Sequence, residues 1–243
     1  HAEVARMVPR DGVTFAALVP NSKGYEGAAK AGIGEIAVFL AASESHNKKN
    51  INCGTEEALA RYGEVAARAR NDHRPFRGYV SCAMGCPYEG HVAPAAVVEV
   101  AERLLAMGAY EISIGDTIGV GTPKQTVELV KLLAQSVPLD KLALHLHDTR
   151  GTALANITAA LEVGVRAFDS AAGGLGGCPY APGASGNVAT EDLVYLLEGM
   201  GIHTGIDLEK LARTSLKMER VLGRQAPSKV VGALRSQLSG SIA

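Results

Sequence analysis

The sequence holds no apolar run of the roughly 20 residues that a membrane-spanning helix needs, and it does not open on the charged-then-apolar segment of a secretory signal. It has no surplus of either charge: 24 Lys and Arg stand against 25 Asp and Glu. That excludes a partner held mainly by bulk electrostatics, whether nucleic acid or an anionic membrane. A local basic patch for a phosphorylated cofactor remains open. Cysteine is scarce, and Cys53, Cys82, Cys86 and Cys178 lack the spacing of a disulfide framework or a zinc ribbon. Free thiols in a reducing compartment are the simplest reading. Cys82 and Cys86 sit within the spacing seen at zinc sites, but no second pair follows, so they read as strand-end residues. The first residue is His1 rather than Met, so the natural start, with any targeting peptide, is expected to be absent.

The 243 residues fit one large domain or two small ones and can bury a substantial core. Short apolar runs alternate with helical patterns. Strands are predicted at 13–19, 35–42, 77–84, 111–117, 142–148 and 167–172. Apolar spacings of three and four predict helices at 23–31, 56–71, 94–107, 123–136 and 152–163, with two more at 191–200 and 208–222. Thr122, Pro123 and Gln125 form a capping-box signature, and Gly108, Gly164 and Gly201 stand where helices should stop. Strict alternation of this kind implies a parallel sheet. Six strands suit an open doubly wound sheet, or a barrel short of two βα units, which would be about 60 residues. Counting does not choose between them.

The placement of polar residues does more. Glu44 follows the second strand, Cys82 ends the third, Asp116 ends the fourth, and His145, His147 and Asp148 end the fifth; Asp169 and Ser170 lie in the sixth. A barrel enzyme gathers its functional residues from several strand ends, whereas an open nucleotide-binding sheet concentrates them at one or two loops. His145 and His147 alternate with Leu146, so both face one side of the strand. They read as a pair sharing a divalent metal or as hydrogen-bonded core histidines. The glycine-rich loop 173–187 suits a mobile lid but matches neither a P-loop nor a dinucleotide fingerprint. Cys178 at its centre is either a proton donor or a chance cysteine. Glu191 and Asp192 suit the N-terminus of a helix. Lys48, Lys49 and Asn50 read as a solvated loop or as a phosphate contact.

Five segments carry a resemblance: AASESHNKKNIN (41–52), YVSCAMGCPYEG (79–90), YEISIGDTIGVGTP (110–123), LHLHDTRGTALANI (144–157) and GGLGGCPYAPGASGNVATEDLVYLLEGMGIHTG (173–205). They closely resemble the 3-hydroxy-3-methylglutaryl-CoA lyase family, collinearly over nearly the whole chain. The wider superfamily of isopropylmalate and homocitrate synthases shares the barrel and the two histidines but not this cysteine-bearing loop.

The resemblance implies a single (β/α)8 TIM-barrel domain over residues 1–243 in which 13–19 is the third strand. The first two βα units would then be missing, with an Arg-Asp pair and a glutamate that belong to the family's site. Pro9-Arg10-Asp11-Gly12 copies that Arg-Asp motif but precedes a strand instead of following one, so it is expected to be an ordinary turn. A barrel lacking two strands would expose two sheet edges and be prone to aggregate.

Carried over by residue, the resemblance makes His145, His147 and Asn187 ligands of Mg2+ or Mn2+. It makes Cys178 catalytic, gives Asp116 and His145 proton-transfer roles, sets Glu191 in support of the site, and makes Asn50 and Lys48 or Lys49 contacts for coenzyme A. The activity implied is cleavage of 3-hydroxy-3-methylglutaryl-CoA into acetyl-CoA and acetoacetate, a step of leucine degradation and ketone-body formation. A homodimer without nucleic-acid or membrane partners is implied, cytoplasmic in a bacterium or in the mitochondrial matrix of a eukaryote. The competing readings are another aldolase or condensing synthase of the superfamily, and an inactive barrel that only binds.

Overall fold

A computed structural model of the chain describes residues 2–8, 12–176 and 186–239. The elements run α1 (Ala2–Met7), β1 (Ala16–Leu18), α2 (Ser22–Lys30), β2 (Glu35–Ala41), α3 (Glu44–Ile51), α4 (Thr55–Asn71), β3 (Phe76–Ser81), α5 (Pro94–Ala106) and β4 (Glu111–Asp116). They continue with α6 (Pro123–Leu133), β5 (Leu142–Leu146), α7 (Ala153–Glu162), β6 (Ala167–Asp169), α8 (Thr190–Gly199), α9 (Leu208–Leu222) and α10 (Lys229–Ser239).

The six strands lie side by side in chain order, every pair parallel. An open doubly wound sheet reverses its strand order at a switch point. No reversal occurs among the described strands, so the topology is that of a TIM barrel. The question that counting left open is settled by order.

Residues in register share a face of a parallel sheet. The outer face carries Ile36, Val38, Leu40, Val80, Ile112, Ile114, Leu142, Leu144 and Leu146, none more than 2% exposed. Each such side chain contributes about 1.5–3 kcal/mol by leaving water. Gly78 in β3 lets α5 come close, since an added Cβ would lie 2.9 Å from Leu104. The inner face is different. Register places Arg77 beside Glu111, Tyr79 beside Ser113, and His145 beside both Gly115 and Asp169. Branched apolar side chains usually fill a TIM-barrel interior; here β3 to β6 present an ionic and aromatic set instead.

Most predicted elements are present, with the strands shorter at their C-terminal ends. β3 stops at Ser81 because Cys82 turns into the left-handed region at φ 59 and donates its N–H to Thr117 Oγ1 at 2.8 Å. β5 stops at Leu146, and His147 instead forms an isolated antiparallel bridge with Asn187. The capping box of Thr122 and Gln125 forms at α6 as expected.

Three helices were not legible in apolar spacing. The segment read as a loop at Lys48, Lys49 and Asn50 is α3, which has little apolar periodicity. Ser43 caps it by accepting the N–H of His46 at 3.2 Å, and Glu44 reaches Lys48 one turn on at 3.4 Å. α10 is started by Ser228, whose hydroxyl accepts the N–H of Val231 at 3.1 Å. It packs on α9 in a small separate core of Ala212, Leu216, Val231 and Leu238. α1 precedes the first strand. Among the described residues no helix is long and apolar enough to cross a membrane.

Candidate active site

The strand-end polar residues divide into two groups. Some brace the scaffold. Glu44 Oε2 accepts both the backbone N–H and the hydroxyl of Thr55, at 2.9 and 2.8 Å, which joins α3 to α4. Asp148 accepts the N–H of Ala153 at 3.0 Å and so starts α7. His145, His147 and Asp169 converge instead on the inner face, whereas Asp116 stands in register with Leu146 on the other face.

His145 Nε2 and His147 Nε2 lie 3.3 Å apart. On its other side His145 Nδ1 lies 3.3 Å from Asp169 Oδ2, which also accepts the hydroxyl of Ser113 at 2.7 Å. Arg77 donates to Asp169 Oδ1 at 2.9 Å and to Glu111 Oε1 at 2.6 Å, hydrogen-bonds the Tyr79 hydroxyl, and stacks over that ring at 4.8 Å. Burial alone would raise the Asp169 carboxyl, but the bonds from His145, Arg77 and Ser113 hold it below its ordinary value. Burial opposes the charge on Arg77, and Asp169, Tyr79 and Glu111 beside it more than reverse that effect. His147 is pushed down to about 4 by burial and by neighbouring His145, so its ring is neutral near pH 7.

Asp116 is completely buried, and its two oxygens accept the N–H groups of Val120 and Gly121 at 3.0 and 2.8 Å. Burial raises its carboxyl; the N–H groups of Gly121, Val120 and Gly119 offset this only in part. Its carbonyl oxygen meets the N–H of His147 at 3.4 Å. Asn187 sits against His147 through the bridge, and its Nδ2 donates to the Leu175 carbonyl at 3.1 Å. Glu191, fully buried, accepts the N–H of Gly173 at 2.7 Å and the hydroxyl of Ser215 at 2.5 Å.

Lys48, Lys49 and Asn50 are exposed on α3. That helix is rooted on the C-terminal end of β2 by Asn47, which accepts the N–H of Ala41 at 2.6 Å and donates to its carbonyl at 2.8 Å. All three therefore stand on the same end of the barrel as the histidines. Cys178 lies outside the described residues, as do Arg10 and Asp11.

Sequence reasoning did not single out Arg77, Tyr79, Glu111 or Ser113. The signal was present: Arg77 and Tyr79, then Glu111 and Ser113, are polar residues at a period of two inside otherwise apolar strands.

Two Nε2 atoms at 3.3 Å fit one divalent cation, since nitrogens each about 2.1 Å from a metal stand roughly 3 Å apart when they subtend a right angle. His147 Nδ1 is a buried polar atom with no hydrogen-bond partner among the described residues. Among the described residues no three His, Cys, Asp or Glu side chains are placed to hold one metal ion together. Two imidazoles and the nearby Asn187 amide are the groups here that could hold a cation, and a site with so few protein ligands is of the open kind that catalysis uses.

A parallel βα barrel whose C-terminal rim carries an imidazole pair, an anchored glycine-rich segment and an exposed basic helix defines a class, the TIM-barrel enzymes that act at strand ends. The HMGL-like family model matches residues 3–217, and the chain belongs to that family. It is 53% identical over 231 residues to the mitochondrial hydroxymethylglutaryl-CoA lyase of Gallus gallus, across 95% of this chain and 78% of that one. It superposes on the crystal structure of hydroxymethylglutaryl-CoA lyase from Pseudomonas aeruginosa with a TM-score of 0.94 and 50% identity, covering 97% of this chain and 79% of the other. An HMG-CoA lyase from Acenitobacter baumannii, solved in complex with coenzyme A and 3-methylmalate, aligns with a TM-score of 0.91 and 38% identity over 96% of this chain and 76% of that one.

Proposed function

We infer that this chain is a carbon–carbon lyase that splits 3-hydroxy-3-methylglutaryl-CoA into acetyl-CoA and acetoacetate. The observation that carries this reading is the pair of Nε2 atoms 3.3 Å apart at the barrel rim, in a chain 53% identical to a lyase of that name. Enzymes of the HMGL-like family are metal-dependent; the particular ion proposed here is Mg2+ or Mn2+.

The reaction needs three things. A base removes the proton of the tertiary hydroxyl. The carbon–carbon bond then breaks, its electrons leaving as the enolate of acetyl-CoA while the alkoxide becomes the ketone of acetoacetate. An acid finally protonates the enolate carbon.

His145, His147 and Asn187 would hold the divalent cation, which when bound lowers the pKa of the hydroxyl and fixes its geometry. Asp116, whose carbonyl meets the His147 N–H, is our candidate to take the hydroxyl proton, with His145 limited to holding and orienting. Cys178, on the proposed lid 173–187, would protonate the enolate carbon, and lid closure would exclude water. Glu191 holds the start of that lid to α8 and α9 through Gly173 and Ser215. Lys48, Lys49 and Asn50, on the same rim, suit the phosphates of coenzyme A. The A. baumannii relative, solved with coenzyme A, supports an acyl-CoA substrate. We also take the chain to act as a homodimer, which light scattering would check.

Product analysis tests the reading. Incubation of 3-hydroxy-3-methylglutaryl-CoA with the chain and Mg2+ should release acetoacetate and acetyl-CoA in equal amounts. Condensation of acetyl-CoA with a 2-keto acid, without that cleavage, would instead make it a synthase of the same superfamily.

A further inference from the structure

Three strands each place a polar side chain behind His145. Arg77 comes from β3, Ser113 from β4 and Asp169 from β6, while His145 itself is on β5. Asp169 is held on both oxygens: Oδ1 accepts from Arg77 at 2.9 Å, and Oδ2 accepts from Ser113 at 2.7 Å and faces His145 Nδ1 at 3.3 Å. Arg77 cannot swing away, because Glu111 holds it at 2.6 Å from the other side.

An ionised carboxylate only accepts hydrogen bonds, and arginine only donates them. In the neutral His145 ring the proton must therefore sit on Nδ1, toward Asp169. Nε2 is left with its lone pair, directed at His147 Nε2 across 3.3 Å. Among the described residues His147 has no counterpart to Asp169: its Nδ1 is buried without a hydrogen-bond partner.

We propose that Asp169 is a positioning residue that locks His145 as the Nδ1–H tautomer, so that Nε2 is presented to the divalent cation, while the tautomer of His147 follows the cation. Arg77 is part of the device, because it fixes which carboxylate oxygen faces which partner. The proposal rests on reading the two histidines as metal ligands. Carboxylates behind a ligating histidine typically change metal affinity by about 10- to 100-fold.

The pinning by Arg77 makes Asp169→Asn a sharp test. The only acceptor of the new amide must stay on Arg77, so its NH2 group falls where Oδ2 was, against Ser113 and His145. There it donates to Nδ1 and moves the ring proton to Nε2, into the metal position. Nitrogen-15 NMR of histidine-labelled, metal-free chain should show His145, assigned by its loss in His145→Gln, protonated on Nδ1; Asp169→Asn should reverse the pattern. Mn2+ binding, followed by electron paramagnetic resonance, should weaken about 10- to 100-fold in Asp169→Asn.

An Nε2–H ring in the unaltered protein would overturn the proposal even if Asp169→Asn failed to fold. So would unchanged Mn2+ affinity in Asp169→Asn. Failure of the unaltered chain to bind Mn2+ would overturn the metal-ligand reading instead, and is distinguishable because the tautomer is read without metal.

Discussion

Glu191 Oε2 accepts the backbone N–H of Gly173 at 2.7 Å, so the first turn of α8 grips the point where the 173–187 segment leaves the barrel. The other oxygen takes the hydroxyl of Ser215 on α9 at 2.5 Å. Replacement by alanine would leave a buried N–H and a buried O–H without an acceptor, at about 1–3 kcal/mol each. Glu191→Ala should therefore lower the melting temperature clearly and reduce turnover. Glu191→Gln, which keeps one acceptor, should fall between the two. An unchanged melt in Glu191→Ala would show that the carboxylate anchors nothing.

Gly176 packs closely against Asn187. Its φ is 124, a left-handed conformation that side chains rarely adopt, and an added Cβ would lie 2.5 Å from Asn187 Nδ2. Gly176→Ala should push Asn187 off its bond to Leu175 and weaken metal binding, with only a small change in melting temperature. Isothermal titration with Mn2+ checks this. Affinity equal to that of the unaltered chain would remove Asn187 from the ligand set.

Thiol reactivity separates the cysteines. Burial pushes Cys82 up to about 12, and burial also raises Cys53. Thiolate is the reactive form, so neither should alkylate readily in the native protein. Mass spectrometry after brief iodoacetamide treatment should find Cys178 labelled first, with loss of activity in step. Labelling of Cys82 at a comparable rate would contradict both its burial and the role given to Cys178.

The helical pair at the C-terminal side responds to acid. Glu219 accepts from Arg235 at 2.8 Å and from the N–H of Ala226 at 2.7 Å, and the Arg235 bond is the largest cause that holds its carboxyl below the ordinary 4.5. A carboxyl depressed by folding stabilises the fold fully above its unfolded pKa, and that contribution is lost as pH falls through the folded value. Hydrogen exchange in α10 should therefore accelerate, relative to the barrel strands, as pH falls from above the ordinary 4.5 through the lower folded value. Glu219→Gln should remove that extra sensitivity. Equal protection of α10 in the two proteins throughout that range would rule the pair out as the cause.

The fold was legible where apolar residues repeat. Ile112 and Ile114 in β4, and Leu142, Leu144 and Leu146 in β5, mark buried strands by alternation alone. Thr122-Pro123 fixes the start of α6 by local chemistry. What could not be read was set by hydrogen bonds instead of hydrophobic pattern. α3 depends on Ser43 and Glu44, and α10 on Ser228 and on Asp192, which accepts the N–H of Val230 at 2.9 Å. The histidine pair was visible at a spacing of two, but its support was not, because Arg77, Ser113 and Asp169 come together only through strand register across 92 residues of chain, from Arg77 to Asp169.

The most direct measurement is acetoacetate release from 3-hydroxy-3-methylglutaryl-CoA by metal-stripped chain titrated with Mg2+, beside a His147→Ala variant of equal melting temperature. Release should be absent without metal, climb to a plateau as Mg2+ is added, and show no plateau in the variant. Release that persists in chelator, or that the variant matches, would contradict a lyase site built on His145 and His147.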